Sequence, residues 1–447
     1  MRYDTISLCN RTILIKAVSK LLIMSETKEY KGLWWLPEAP DKQVHGTLVV
    51  EKSKISLETF DVLGSNNPLS HFSDRSVPHY DVIWGISSEA KDISIFNCYE
   101  SISMNISSSF ALAQYSAQVV AVGRHIESLE EVGNYDVTAY IDELSYWFKP
   151  NCLHSDLEEQ RYTCSALKNT PNITVQIEDD CSLKIAGEAQ FSCSKTGMRM
   201  EFEQKSSLNF LFSSPISLRE AKHKVFLFEQ FLSFATLTPV QSNRFLLIDK
   251  DKKSDPTENC KIEIYDNNYG NRTDKSERFW EYLFVYDIIE NAFPSIIRKW
   301  YAEKELAPIR AHLIDSVKNR GVFSSVDFLI VVQAVEGYYS RFIKDGPSLK
   351  EILIKLREKF SDIVVLELSD YDIDCIRDSR HYYSHLFPKG KKPNVKDGSE
   401  LYKLNHKLRK LLLCCMLNFV GFNNDAINRI FKKSNNSYLR MIGDNIE

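Results

Sequence analysis

The feature of this 447-residue chain that most constrains its fold is a change of hydrophobic period across one polar stretch. From about residue 44 to 205, short apolar runs are separated by turn residues, which is typical of β-strands. After residue 277, apolar side chains recur at the spacing of roughly 3.6 residues that amphipathic helices show. The stretch between them begins Asp249-Lys250-Asp251-Lys252-Lys253 and is too polar to form a core. Two patterns in a chain of this length predict two domains.

These patterns divide the chain into four segments. We expect an N-terminal extension at residues 1–23, a β-rich domain at 24–248, a linker at 249–275 and a helical domain at 276–447. Many short strands favour an antiparallel sandwich or a barrel-like fold for the β-rich domain. Several amphipathic helices with short connections favour a bundle for the helical domain. The predicted fold class is therefore α+β, with the β-rich domain first and an all-α bundle second.

The elements of the β-rich domain are predicted from apolar alternation and from turn clusters such as Ser194-Lys195-Thr196-Gly197. A helix is expected at residues 216–235, and the linker is expected to hold one edge strand at 261–265. The other strands are expected at residues 47–50, 55–60, 80–86, 93–98, 117–122, 135–141, 173–177, 183–191 and 198–203.

The helices of the C-terminal domain are predicted from apolar stripes and from their end signals. Ser324-x-x-Asp327 and Ser348-x-x-Glu351 have the spacing of capping boxes. Pro388 is expected to stop one helix, and Gly421 is expected to end the last one. The helices are expected at residues 328–342, 349–360, 370–387 and 400–419.

Composition limits the functions that the chain can have. Its net charge of −4 and pI near 6.3 exclude a nucleic-acid binder that uses the charge of the whole chain, so RNA contacts require a local basic patch. The ten cysteines form no C-x-x-C pair and favour no zinc site. No apolar run reaches the roughly 18 residues of a membrane span, and no small-residue cleavage site follows the apolar stretch near the N-terminus. We therefore expect a cytoplasmic protein without a metal, a cofactor or a membrane contact.

The segment from Arg377 to His385 holds the residues best suited to chemistry. Two arginines and two histidines lie within its nine residues. RNA cleavage without a metal needs a group of near-neutral pKa that moves protons at the 2′-hydroxyl or the 5′-oxygen, and histidine is such a group. It also needs a fixed cation for the charge that builds on the phosphoryl oxygens, and the planar donor fork of arginine provides one. The candidates are Arg377, Arg380, His381 and His385.

The spacing of these residues leaves alternatives open. On a regular helix Arg380 stacks on Ser384, whereas Arg380 and His385 point about 140° apart. One helix therefore does not complete a site with both residues, while two such helices across a two-fold axis can. Arg-x-x-x-x-His also occurs in many helices by chance. The plain alternative is a solvated helix face with Tyr382 and Tyr383 packed inward.

The segment Arg380-His381-Tyr382-Tyr383-Ser384-His385 resembles the signature of the HEPN superfamily. In that signature an arginine, usually followed by a polar residue, is separated from a histidine by four to six residues, and four intervene here. Residues 31–38 and 46–48 resemble the opening of the ApeA N-terminal domain. The surroundings of the motif resemble the ApeA-like HEPN group at residues 297–301 (a tryptophan-bearing helix), 328–336 (the second conserved helix) and 411–430 (the closing helix).

The resemblance, which covers most of the chain from residue 30 onward, implies an ApeA-like bacterial anti-phage protein acting by abortive infection. Arg380 and His385 would then be the motif residues of an endoribonuclease that cleaves host RNA, with tRNA as one candidate, and leaves a 2′,3′-cyclic phosphate. His381 stands where the superfamily often has asparagine, and it would keep that polar role or add a second titrating group. Phe387 stands where HEPN proteins regulated by nucleotidyltransferase antitoxins often carry tyrosine, which argues against such regulation.

Other residues are expected to support the Arg380–His385 pair, and they are Arg377, His381, Ser384 and Glu336. Glu336 lies among valines, where a carboxylate needs a partner, so it would orient an arginine or histidine of the motif. The alternative is a solvent-facing glutamate. Four lysines directly after the motif would guide RNA phosphates, the alternative being a flexible solvated loop. They are Lys389, Lys391, Lys392 and Lys396.

The expected partners are the RNA substrate, a second copy of the chain in a homodimer or higher oligomer, and a phage-derived trigger sensed by the β-rich domain. That domain would alternatively restrain the nuclease. A different class of function also remains open. The helical domain would then be a non-catalytic module that binds RNA or protein under the control of the β-rich domain, and Arg380 and His385 would only hold its structure.

Overall fold

The computed structural model describes most of the chain, with gaps. The predicted extension at residues 1–23 lies outside the described residues. The described residues are 27–51, 54–64, 78–101, 112–158, 161–167, 170–194, 198–252, 260–267, 281–319, 324–363, 366–386, 388–434, 436 and 438–439.

Packing divides the chain into two compact units. One unit is Met1–Glu131 with Lys252–Asn271, and the other is Val132–Asp251 with Arg272–Glu447. The second unit therefore combines β-strands with the C-terminal helices. The division of the chain at a linker of residues 249–275 stays a prediction.

The described residues form 17 β-strands. Their positions agree with the predicted β-rich texture of the N-terminal half. They are β1 (Lys28–Trp35), β2 (Val44–Glu51), β3 (Lys54–Thr59), β4 (His79–Ser87), β5 (Asp92–Ser101), β6 (Ala113–Ala117), β7 (Val119–Val122), β8 (Val132–Gly133), β9 (Tyr135–Tyr140), β10 (Leu153–Glu158), β11 (Arg161–Ala166), β12 (Asn172–Glu178), β13 (Cys181–Cys193), β14 (Met200–Phe212), β15 (Ile216–Ser217), β16 (Arg244–Asp249) and β17 (Lys261–Asp266).

Strands β1 to β6 close a barrel in the first unit. They pair antiparallel in the order β5-β4-β1-β2-β3-β6, and β6 returns to β5 with Ser116 opposite Tyr99. Strand β7 pairs with β5, and β17 pairs with β7. The predicted barrel-like fold of the N-terminal region is confirmed.

Trp34 fills part of the inside of this barrel and is fully buried. Gly85 makes room for its indole, because a Cβ at residue 85 would lie 2.2 Å from the Trp34 ring. Leu48, Ile83 and Ile95 belong to the same apolar core. The barrel interior is therefore packed with side chains, as small barrels generally are.

The strands of the second unit include an antiparallel sheet in the order β12-β13-β14-β9-β16. Strands β13 and β14 form a long hairpin that stays in register from Cys181 opposite Phe212 to Cys193 opposite Met200. The first half of β13, which pairs with β12, alternates between buried and partly exposed residues, as a strand with one covered face does.

The described residues also form ten α-helices. In this part of the chain, no helix has both the length and the apolar character needed to cross a membrane. The predicted all-α region of the C-terminal half is confirmed. The helices are α1 (Asp142–Phe148), α2 (Leu218–Thr236), α3 (Tyr286–Ile289), α4 (Phe293–Ala302), α5 (Ala307–Lys318), α6 (Ser325–Phe342), α7 (Leu349–Lys359), α8 (Asp370–His385), α9 (Gly398–Phe419) and α10 (Asn424–Lys433).

An aromatic cluster joins α2 to α1 and α4 within the second unit. Phe231 of α2 lies edge-on to Trp147 and Trp300, with ring centroids 5.8 and 5.5 Å away. The indole N–H of Trp300 donates to the Leu227 carbonyl of α2 at 2.9 Å. Both indoles are fully buried, so the first C-terminal helices share a core with α2.

The two predicted capping boxes have different outcomes. Ser348 and Glu351 form the complete box at the start of α7. At α6 the Ser324 hydroxyl caps the helix, but Asp327 is fully buried in an ion pair with Arg409 of α9. A buried carboxylate needs a cationic partner more than a second cap, so the predicted box at α6 is wrong in its acidic half.

Helix α8 ends earlier than the predicted range of 370–387. His385 is its last residue, and Leu386 adopts a left-handed conformation with φ of 52°. A proline disfavours helical conformation in the residue before it. The predicted helix end at residue 387, directly before Pro388, is therefore too late. His385 consequently lies at the very end of the helix.

Candidate functional site

Helix α8 separates its charges along its length. The carboxylates of its first half are held by cations of the neighbouring helices α7 and α9, which fixes how α8 lies between them. The basic residues Arg377, Arg380, His381 and His385 follow in the remainder of the helix. Acids near the N-terminus and bases near the C-terminus both suit the helix dipole. The pairs of the first half are Arg357–Asp370 at 2.7 Å, Lys407–Asp372 at 2.8 Å and Lys350–Asp374 at 2.8 Å.

Arg380 lies against Glu336 of α6. The Nη2 atom of Arg380 is 3.6 Å from Oε2 of Glu336, and both side chains are between a quarter and a third exposed. Burial raises the pKa of the Glu336 carboxyl, while the Arg380 guanidinium opposes that rise. The structure thus brings together the predicted motif arginine and the predicted supporting carboxylate. The contact leaves the guanidinium steadied on one side and reachable from solvent.

His381 and His385 are neighbours on α8, with ring centroids 6.2 Å apart. His385 is exposed at the helix end, next to Leu386, which is 82% exposed. Burial first, and then the nearby cationic groups, lower the pKa of His381. His381 is therefore partly buried among cationic groups, whereas the His385 side chain is exposed.

Arg377 is engaged by carboxylates of its own helix. Its Nη1 atom is 3.0 Å from Asp374, and its Nε and Nη2 atoms donate to one oxygen of Asp378 at 3.0 and 2.9 Å. The Asp378 side chain is 2% exposed. Ser384, the remaining predicted residue of α8, is exposed one turn after Arg380. Arg377 thus pairs with two carboxylates at 2.9 to 3.0 Å, whereas Arg380 lies 3.6 Å from Glu336.

The predicted RNA-binding lysines have separate environments. Lys391 is exposed, and the Nζ atom of Lys392 lies 3.1 Å from Nδ1 of His381. Lys396 pairs with Glu400 at 3.2 Å. The side chain of Lys389 lies outside the described part of the chain. Only part of the lysine set therefore lies beside the histidines.

The segment that carries these lysines is tied to α8 by residues that the sequence did not single out. The Asn394 amide donates to Asp378 at 3.1 Å, and the Lys396 backbone N–H donates to the Ser379 hydroxyl at 3.0 Å. The Tyr383 hydroxyl donates to the Lys396 carbonyl at 3.0 Å. Asp378, a carboxylate inside a basic stretch, is the sequence signal that could have indicated such a role.

A guanidinium, two imidazoles and an ammonium group thus lie on or beside the last turns of one helix in a helical bundle. Such a set can bind the phosphate of a nucleic acid and move a proton beside it. These features define a helical domain of the HEPN class. The chain belongs to the ApeA family: the sequence model of ApeA N-terminal domain 1 matches residues 29–300, and that of the Apea-like HEPN domain matches residues 329–426. No curated protein and no solved structure matches the chain.

The two matches divide the chain at a place that the sequence resemblance did not anticipate. The tryptophan-bearing helix at residues 297–301 was assigned to the HEPN group, but the N-terminal match extends to residue 300. Trp300 packs on α2, which lies wholly inside that match. The motif helix α8 lies wholly inside the HEPN match.

Glu336→Gln is expected to raise the midpoint of thermal unfolding at about pH 8 and to leave it nearly unchanged at about pH 5. The pKa of Glu336 is raised in the folded chain, so the native state binds this proton more tightly than the unfolded state does. Stability therefore falls as the pH rises through the native pKa, and glutamine removes that loss. Glu305→Gln, at an exposed carboxylate paired with Arg341, is the control and should show no such difference. A lower midpoint for Glu336→Gln at about pH 8 would contradict this account.

Proposed function

We propose that the chain is a metal-independent endoribonuclease that acts in the bacterial cytoplasm in defence against phage, by abortive infection. The single observation that carries the proposal is the placement of Arg380, steadied by Glu336, and His385 at the exposed end of α8. Host RNA, with tRNA as a candidate, is the proposed substrate. Membership of the ApeA family supports the defence role.

The proposed reaction is a transesterification. The RNA 2′-oxygen loses its proton and attacks the adjacent phosphorus, and the bond to the 5′-oxygen breaks. The products are a 2′,3′-cyclic phosphate and a 5′-hydroxyl. His385 acts as general acid or base, and its exposure at the helix end leaves it accessible to RNA. Arg380 stabilises the charge on the phosphoryl oxygens.

Arg380→Ala and His385→Ala are each expected to lower the rate of RNA cleavage by about a hundredfold or more, and to abolish toxicity on expression. Neither side chain lies in the buried core, so thermal unfolding should change little. Cleavage of total RNA by purified protein, in buffer with EDTA, gives the measurement. Arg429→Ala and His154→Ala, at exposed positions outside α8, are the matched controls. If purified His385→Ala cut RNA at the wild-type rate, the assignment would be wrong.

We further propose that the active form is a dimer whose sites combine residues of two chains. Arg380 and His385 are five residues apart on one regular helix, which turns them about 140° from each other. A two-fold axis beside the end of α8 would bring Arg380 of one copy to His385 of the other. Leu386, apolar and largely exposed beside His385, supports a protein contact at this end.

Mixing the Arg380→Ala and His385→Ala chains is expected to restore about a quarter of the wild-type activity. Half of the dimers would be mixed at equilibrium, and each mixed dimer would hold one site with both residues intact. RNA cleavage after exchange of differently tagged chains measures the recovery. Mixing His385→Ala with the double variant is the control and should stay inactive. If dimers shown to contain both variant chains did not recover RNA cleavage, each site would belong to a single chain.

The β-rich region is proposed to sense a phage component or to restrain the nuclease. A toxic nuclease needs control, and the large N-terminal match provides a region to exert it. The strands of Val132–Asp251 share a unit with the helices, so they are placed to transmit a change to them. The closed barrel of the first unit is the proposed sensor.

A further inference from the structure

The contact between Lys392 and His381 is supported by hydrogen bonds near each of the two residues. After Lys392, the segment is pinned to α8 through Asn394 and through the backbone of Lys396. His381 itself sits in the middle of the last two turns of α8, between Ser379 and Tyr383, and both of those residues also bond to this segment. The ammonium group of Lys392 is thereby kept next to one particular ring nitrogen.

The identity of that nitrogen decides the tautomer of His381. Lys392 lies 3.1 Å from Nδ1. An ammonium group has donors and no acceptor, and it holds its proton far more tightly than an imidazolium does. Lys392 therefore donates, and Nδ1 must keep its lone pair. In a neutral imidazole the proton then sits on Nε2, so Nε2 is a donor and not a base.

The charges around His381 oppose a second proton on its ring. Arg377, Arg380 and His385 face it from its own helix, and Lys392 faces it from the following segment. All four are cationic or can become so, and burial acts in the same direction to lower the pKa of His381. Glu336, the carboxylate that α6 brings to this end of α8, lies on Arg380.

We propose that His381 is a further catalytic residue, a neutral Nε2–H donor to a phosphoryl oxygen of the RNA, and that Lys392 is the positioning residue that fixes this tautomer. The inference rests on the proposed ribonuclease function. It divides the work between the two histidines. His385 moves protons, whereas His381 stabilises the charge that develops on the phosphate beside Arg380. Asn394 and Asp378 hold Lys392 where it can do this.

Substitution by glutamine separates a donor from a proton carrier. The amide nitrogen of glutamine stands the same number of bonds from Cα as Nε2 of histidine, and it donates but does not titrate. His381→Gln should lose no more than about tenfold in kcat, whereas His381→Ala should lose about a hundredfold or more. Equal losses in the two variants would overturn the proposal, because an N–H donor at this position would then restore nothing.

A measurement without RNA tests the tautomer itself. In full-length protein with ¹⁵N-labelled histidine, the ring signals of His381 are those missing from His381→Gln. They should show an unprotonated Nδ1 and a protonated Nε2 from about pH 6 to 8. In Lys392→Met both neutral tautomers of His381 should be populated, and the pKa of His381 should rise toward the ordinary imidazole range. An Nδ1–H form or a charged ring in the wild type would overturn the proposal. If the chain cleaved no RNA, the proposed ribonuclease function would be wrong, but this test of the His381 tautomer would still apply.

Discussion

The buried ion pair between Asp327 and Arg409 is the constraint on which the helical region depends. Both side chains are almost fully enclosed, and Asn405 of α9 donates a further hydrogen bond to Asp327. Removing either charge would leave the other buried without an opposite charge, so α6 and α9 are fixed in one register. Helix α6 carries Glu336, and α9 holds the first half of α8 through Lys407. The position of Arg380 follows from these two attachments.

The charge separation along α8 distinguishes the residues that attach this helix to its neighbours from the candidate site residues. The carboxylates Asp370, Asp372 and Asp374 form structural pairs with neighbouring helices, while Arg380, near the helix end, lies against Glu336. Because Arg377 pairs with two carboxylates of α8, we propose Arg380 as the arginine of this helix that meets a phosphate. The sequence pattern named both arginines as candidates. Their carboxylate partners distinguish them.

Much of the fold and of the candidate site could be predicted from the sequence. The rest could not, because it depends on contacts between residues that are distant in the sequence. Period and turn chemistry predicted the β-rich and helical regions, because both patterns are local. The closure of the barrel through β5 and β6, and the shared core of α2 with Trp300, depend on contacts distant in sequence. The pair of Arg377 with Asp374 was within reach, since residues three apart meet on a helix. The contact of Lys392 with His381 was not, because it needs the fold of the segment after α8.

We propose that Arg380 and His385 together cleave RNA without a metal. The most direct measurement is to map the chemistry of RNA ends in cells after brief expression of the wild type and of His385→Ala. The account predicts new 5′-hydroxyl ends and matching 2′,3′-cyclic phosphates at defined positions in host RNA, present with the wild type and absent with His385→Ala. Ends that carry 5′-phosphates, or the same new ends with both proteins, would contradict it.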